Sequence, residues 1–156
     1  MEVRNRTVGV QSLLKSASTT QQEGFHAARE ARRSELAEDY VELIAELIDQ
    51  KGLARPVDIA QRLGVKQPTV SKNLARLKRD GYILHERYRS IFLTDAGRTL
   101  ASICRTRHRT IVSFLMALGL DKATAEQDAE GLEHHVSDRT LLAFKQFIDN
   151  HDLPAK

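Results

Sequence analysis

The sequence predicts a mainly α-helical fold: a winged helix-turn-helix followed by an all-helical part. Three observations predict it. Leu36, Tyr40, Leu43, Ile44 and Leu47 recur at three- and four-residue steps, the period of a half-buried helix. Two short helical stretches meet at Gly64. Residues 82–93 then gather aromatic and β-branched types around a polar centre, the pattern of a hairpin.

Taken in order, residues 1–31 read as a loose arm, because the stretch 16–23 is polar and aperiodic. Helix can begin near Gly24–Phe25, and the apolar period supports it from Ser34 to a stop at Gly52. Pro56 opens the next helix, at a position where its missing N–H removes no bond, and Gly64 ends it after Leu63. A further helix runs from Gln67–Pro68 to about Asp80, with Val70, Leu74 and Leu77 on one face. After the hairpin, Thr94-Asp95-Ala96-Gly97 starts a long helix that reaches Leu118 and stops at Gly119. Helices over about 122–135 and 137–150 follow, the second capped by the Val136-Ser137-Asp138 linker.

A chain of 156 residues can bury a core without disulfides or a structural metal. Its 41% hydrophobic and 29% charged residues are those of an ordinary globular protein. No run approaches the ~18 apolar residues of a membrane span, and the N-terminus lacks the apolar stretch of a secretory signal. Cys104, the lone cysteine, excludes an internal disulfide framework and a CxxC zinc site. The compartment these features indicate is the cytoplasm.

The net charge of +3 is mild, but its distribution is uneven. Residues 51–90 hold ten bases against three acids, whereas residues 121–156 hold eight acids against four bases. A basic middle suits a polyanion and an acidic end suits a cation. With Val70 at the centre of the buried face, Pro68, Lys72, Arg76 and Arg79 fall on the opposite side of their helix. Gln67 and Thr69 lie at its first turn. Gln can pair with adenine, Thr with a base edge or a thymine methyl, Lys and Arg with guanine or phosphate. Arg87, Tyr88 and Arg89 at the hairpin tip would grip phosphates beside the groove. The expected partner is double-stranded operator DNA.

The acidic end carries Asp128-Ala129-Glu130-Gly131-Leu132-Glu133-His134-His135. On a helix, Glu133 and His134 each project within about 60° of Glu130, and His135 is turned away from it by roughly 140°. Two carboxylates and an imidazole on one stripe can hold a hard first-row divalent ion such as manganese or ferrous iron. The same stripe can also be a solvated acidic face. His108 lies on the apolar stripe of Leu100, Cys104, Ile111 and Leu115, where a histidine is ordinarily a core residue, and a ligand reading needs acidic partners opposite it. Asp39 and Glu42, three apart, can supply them, although Glu35, Glu38 and Glu46 make that whole helix acidic. Cys104 reads as a small buried hydrophobe.

Several segments together carry a resemblance over Ser34–His151. They are Glu38 to Glu42, Asp58-Ile59-Ala60 through Pro68-Thr69-Val70-Ser71-Lys72, Tyr88-Arg89 with Leu93-Thr94 and Gly97, Arg107-His108, and Asp128 to His135. In them the chain resembles the metal-dependent repressors related to diphtheria toxin repressor, most closely the manganese transport regulator branch. The resemblance implies a paired metal site between the first helix and the C-terminal helices, made by Asp39, Glu42, His108, Glu130, Glu133 and His134. Iron-selective relatives carry a methionine where Asp39 stands and a sulfur ligand where Glu133 stands. Carboxylates at both places imply the manganese branch, and the family's paired site implies two manganese(II) ions per subunit, with iron(II) as the alternative activator. The resemblance also implies a homodimer built from the helices after the wing, and Ser71 joins Gln67, Pro68, Thr69, Lys72 and Arg76 on the DNA-reading helix. The chain departs from the pattern in its N-terminal arm, in lacking the length for an SH3-like domain, and in Ser90 where the wing tip usually has glycine.

The expected organisation is an arm (1–31), a winged helix-turn-helix (32–97), a helical dimerisation and metal-binding domain (98–151) and a tail (152–156). The expected function is a manganese-activated regulator that represses metal-uptake genes, with no enzyme activity, membrane partner or organic cofactor. A winged-helix repressor sensing iron or a small organic ligand is the rival within the class. A helical di-metal carboxylate enzyme is the rival outside it. Such enzymes use paired Glu-x-x-His motifs, and this chain has one cluster with Glu130-x-x-x-His134.

Overall fold

The computed structural model describes residues 5–85 and 90–151, with side chains from Phe25 onward. The wing-tip residues Arg87, Tyr88 and Arg89 lie outside the described residues. The order is α1 (Asn5–Lys51), α2 (Pro56–Leu63), α3 (Gln67–Arg79), β1 (Ile83–Leu84), β2 (Phe92–Leu93), α4 (Asp95–Ala117), α5 (Lys122–Leu132) and α6 (Asp138–Asn150). The chain divides into two units, residues 1–36 and 37–156.

The first difference from the sequence reading is at the start. A loose arm is expected over residues 1–31, with helix from about Gly24; the structure carries α1 from Asn5. The segment contains no proline, and it continues into a helix already nucleated by its buried part. Propagation then adds one hydrogen bond per residue without the cost of a new nucleus. Hydrophobic periodicity reports burial, and residues 25–34 of α1 are exposed, so it does not register that stretch.

In the second unit Tyr40, Val41, Leu43, Ile44 and Leu47 of α1 are buried, as are Ile59 of α2 and Val70, Leu74 and Leu77 of α3. The turn between α2 and α3 depends on Gly64, whose φ of 65° is left-handed and lets Val65 N–H bond back to the Ala60 carbonyl at 3.1 Å. Strands β1 and β2 pair antiparallel, Ile83 opposite Leu93 and Leu84 opposite Phe92. Ile83 and Leu93 face the core, while Leu84 and Phe92 are exposed, as a period of two requires. A bridge between Ala54 and Ile91 fastens the wing to the chain after α1.

Thr94 caps α4 by accepting from Gly97 N–H at 3.1 Å, and its own hydroxyl donates to the Gly81 carbonyl at 2.7 Å. A Cβ on Gly97 would sit 2.1 Å from the Tyr82 carbonyl oxygen, so α4 meets the end of the helix-turn-helix only because that side chain is absent. Ile111, Val112, Ala125 and Ala129 form the core of the C-terminal helices, with Leu115, Leu120, Val136, Leu141 and Phe144 around it. Phe114 stacks on Phe144 with ring centroids 3.9 Å apart.

A second difference concerns α5. The sequence predicts helix to about residue 135, and the structure ends it at Leu132, with Glu133 as the cap residue. The Leu132 carbonyl accepts from both His135 and Val136 N–H at 3.0 Å, which tightens the chain into a turn before Ser137 caps α6. Glu133 keeps right-handed helical angles, so the side-chain stripe from Glu130 to Glu133 continues through the helix end.

Candidate metal centre and nucleic-acid interface

Helix α3 presents its first turn outward. Gln67, Pro68, Thr69, Ser71 and Lys72 are exposed, while Val70 between them is fully buried. This is the division the hydrophobic pattern predicts for a helix that packs on one side and reads a groove on the other. Arg76 is less free: its side chain is 28% exposed and its Nε lies 3.9 Å from the Asp80 carboxylate. Its charge is therefore partly engaged at the end of α3.

The acidic residues of α1 meet the histidines of the C-terminal helices. His134 Nε2 lies 3.1 Å from Asp39 Oδ1 and 3.6 Å from Glu133 Oε1. Its Nδ1 is paired with Glu38 Oε2 at 3.0 Å. His108 of α4 is paired through Nδ1 with Glu133 Oε2 at 2.7 Å and through Nε2 with Glu126 Oε2 at 2.8 Å. Glu42 lies within electrostatic reach of Glu133, His108 and Glu130. Three segments, α1, α4 and α5 with its end, separated by up to 96 positions, thus bring carboxylates and imidazoles into contact. His135, in the turn after α5, is exposed.

The electrostatics are those of a site with excess negative charge. Glu133 is 5% exposed, and burial raises its pKa against the lowering influence of the two histidines. Burial also raises that of Glu42, with the Glu133 charge adding to it. For His108 and His134 burial opposes the charged form. The hydrogen bonds that the charged rings donate, His108 to Glu126 and Glu133 and His134 to Glu38, together with the nearby carboxylate charges, outweigh it, so both pKa values are raised. The donors are turned onto one another, and among the described residues no three His, Cys, Asp or Glu side chains surround a common centre. The donor set nevertheless fits a hard divalent cation: several carboxylates, two imidazoles and no thiolate, with Cys104 buried and its thiol pushed up to about 12, first by burial and then by the Glu38, Glu42 and Glu133 charges.

The sequence reading omits two contacting residues, Glu38 and Glu126. Both continue stripes already visible, Glu38 four residues before Glu42 and Glu126 four residues before Glu130. Their contacts with the histidines cross between helices, and helical spacing alone does not specify that.

Comparison with known proteins decides the family. Residues 33–91 match the iron dependent repressor N-terminal DNA binding domain, and residues 94–153 match the iron dependent repressor metal binding and dimerisation domain. The chain belongs to the iron-dependent repressor family. It is 51% identical over 134 residues to the transcriptional regulator MntR of Salmonella typhimurium, covering 86% of this chain and 85% of that one. It is 38% identical over 117 residues to the HTH-type transcriptional regulator MntR of Listeria welshimeri, covering 73% and 82%. A solved manganese-dependent transcriptional repressor in complex with manganese superposes with a TM-score of 0.64 at 31% identity, over 72% of this chain and 52% of that one. The chain thus spans about half the length of that solved relative. As a member of this repressor family it is a DNA-binding transcriptional regulator with a dimerisation domain, and not an enzyme. Among the described residues no helix is long and apolar enough to cross a membrane.

Proposed function

We propose that the protein is a manganese(II)-activated transcriptional repressor of metal-uptake genes, with the ion held by Asp39, Glu42, His108, Glu130, Glu133 and His134. The observation that carries this reading is the meeting of Asp39 on α1 with His134, and of Glu133 with His108, at 3.1 and 2.7 Å. Asp39 and Glu133 are oxygen donors, which favour manganese over softer ions. Four carboxylates and two imidazoles would be donors enough for two ions per subunit. The family matches support a winged helix-turn-helix over 32–97 and a dimerisation and metal-binding domain over 98–151.

A bound divalent ion supplies positive charge that lets these carboxylates remain ionised side by side. Asp39 and Glu42 then hold α1 against the helices that carry His108 and Glu133. Buried α1 residues share the second unit with α2 and α3, so fixing α1 fixes the pose of the DNA-reading helix. In a homodimer this sets the spacing of the two reading helices along the duplex. Gln67, Thr69, Ser71 and Lys72 face the bases, Pro68 starts the helix, and Arg76 with Arg87, Tyr88 and Arg89 contacts the backbone. Activation requires only that the ion bind the DNA-competent arrangement more tightly than the others.

Electron paramagnetic resonance, which detects free manganese(II), tests the ion and its number. Titration should give two bound ions per subunit, with binding lost when Asp39 and His134 are both replaced by alanine. Undiminished binding in that double variant would exclude this ligand set.

A further inference from the structure

We propose that Asn73 is a positioning residue of the DNA-reading helix, tied through Tyr40 to the turn of α1 that carries Asp39 and Glu42. The inference rests on the manganese reading above and extends it to how the two sites communicate. The Asn73 Nδ2 donates to the Tyr40 hydroxyl at 2.9 Å, across 33 positions of sequence. Tyr40 is 4% exposed, so its ring is held by the core and its hydroxyl is a fixed point. Asn73 is half-buried, one residue after exposed Lys72 and one before buried Leu74. Either end of the amide can pair with a hydroxyl, which both donates and accepts, so the link survives a turn of the amide.

Asparagine is a poor helix former, and a larger apolar side chain at this boundary would favour α3 more. Its presence in mid-helix is explained by its partner. Apolar packing through Val70, Leu74 and Leu77 holds α3 in the core but is not directional. A hydrogen bond to a fixed hydroxyl specifies rotation of α3 about its axis. A rotation of ~20° would move a side-chain tip at a radius of about 6 Å by roughly 2 Å, more than a base contact tolerates. Tyr40 immediately follows Asp39. Any ordering of that turn by bound manganese therefore reaches α3 through one side chain and one hydrogen bond.

The test uses the full chain and a duplex selected from a random-sequence pool by the manganese-loaded wild-type protein. Duplex affinity is measured with saturating manganese and with a chelator, and their ratio is the manganese-dependent gain. Tyr40→Phe, Asn73→Leu and the double variant are compared, with manganese affinity of the DNA-free protein read by electron paramagnetic resonance. Each single variant should reduce the gain about fivefold, the worth of one partly buried neutral hydrogen bond. The double variant should lose no more than either single one. Manganese affinity without DNA should stay within about twofold of wild type, since no ligand is touched. Tyr40→Phe keeps the ring in the core, so it retains a folded protein even if Asn73→Leu does not. A gain that survives Tyr40→Phe overturns the inference, and harm from Asn73→Leu alone would assign Asn73 to direct base reading instead. A wild-type protein without any manganese-dependent gain would overturn the manganese reading itself, and this inference with it.

Discussion

Glu133 gathers the contacts of the candidate metal site in one side chain. It is the buried carboxylate among the described residues, touches His108 directly and lies 3.6 Å from His134. Replacing it with alanine leaves two histidines without their shared partner and removes an oxygen donor, so activation by every metal should be lost. Glu133→Cys should instead shift the response toward iron(II) or cobalt(II), because a thiolate favours softer ions. His135→Ala should change little, its side chain being exposed. Duplex binding across a metal series reads all three variants; equal damage from His135→Ala and His134→Ala would show that the wrong histidine has been assigned. Glu126 belongs to the same scale. Through its bond to His108 Nε2 it orients the ring, and Glu126→Ala should weaken manganese binding by ~10-fold, the usual effect of removing such a partner. Unchanged affinity in that variant would leave the Glu126 contact without a part in metal binding. Cys104 is the counter-example. With a pKa pushed up to about 12, its thiolate fraction at pH 8 is ~0.0001, so a thiol reagent should label it only as fast as the protein unfolds. Labelling at the rate of a free thiol would contradict its burial.

At the scale of elements, the join between wing and α4 is the tightest point. Gly97→Ala would push a methyl into the Tyr82 carbonyl, which also accepts from Thr94 N–H at 3.0 Å. Backbone cannot yield as a flexible side chain does, so the variant should lose ~1–3 kcal/mol of stability, the range for overpacking. Urea unfolding with an unchanged midpoint would show that α4 can slide away freely. Most elements were legible because local chemistry marks them: Pro56 and Gly64 bound α2, Pro68 starts α3, and Thr94, Asp121 and Ser137 cap the last three helices. The exceptions have physical reasons. Residues 25–34 of α1 are helix with exposed side chains, which leaves no periodic trace. The early end of α5 is set by two N–H groups converging on Leu132, and the run of polar residues through His135 gives no stop signal. Glu130, Glu133 and His134 were legible as a stripe on one helix, the six-residue ligand set followed only from the family resemblance, and the contacts of Glu38, Glu126 and Asn73 run between helices. Those partners depend on the relative rotation of packed elements, which a single-helix pattern does not contain.

Across the whole molecule, the basic middle and acidic end seen in the sequence correspond to two connected tasks. Buried apolar residues of α1 belong to the same unit as α2 and α3, and its acidic residues meet α4 and the end of α5. In the proposed reading one helix serves both the DNA-reading part and the cation-holding part, so metal occupancy and duplex affinity should be linked reciprocally. The measurement that tests this most directly is duplex affinity as a function of free manganese(II), buffered and at fixed salt, because phosphate contacts make affinity steeply salt-dependent. Affinity should rise by ~10–100-fold as manganese saturates the protein, a coupling of a few kcal/mol at most. The rise should disappear in His134→Ala while the weak metal-free affinity stays. Affinity that does not depend on manganese, or a rise that persists in His134→Ala, would contradict this linkage.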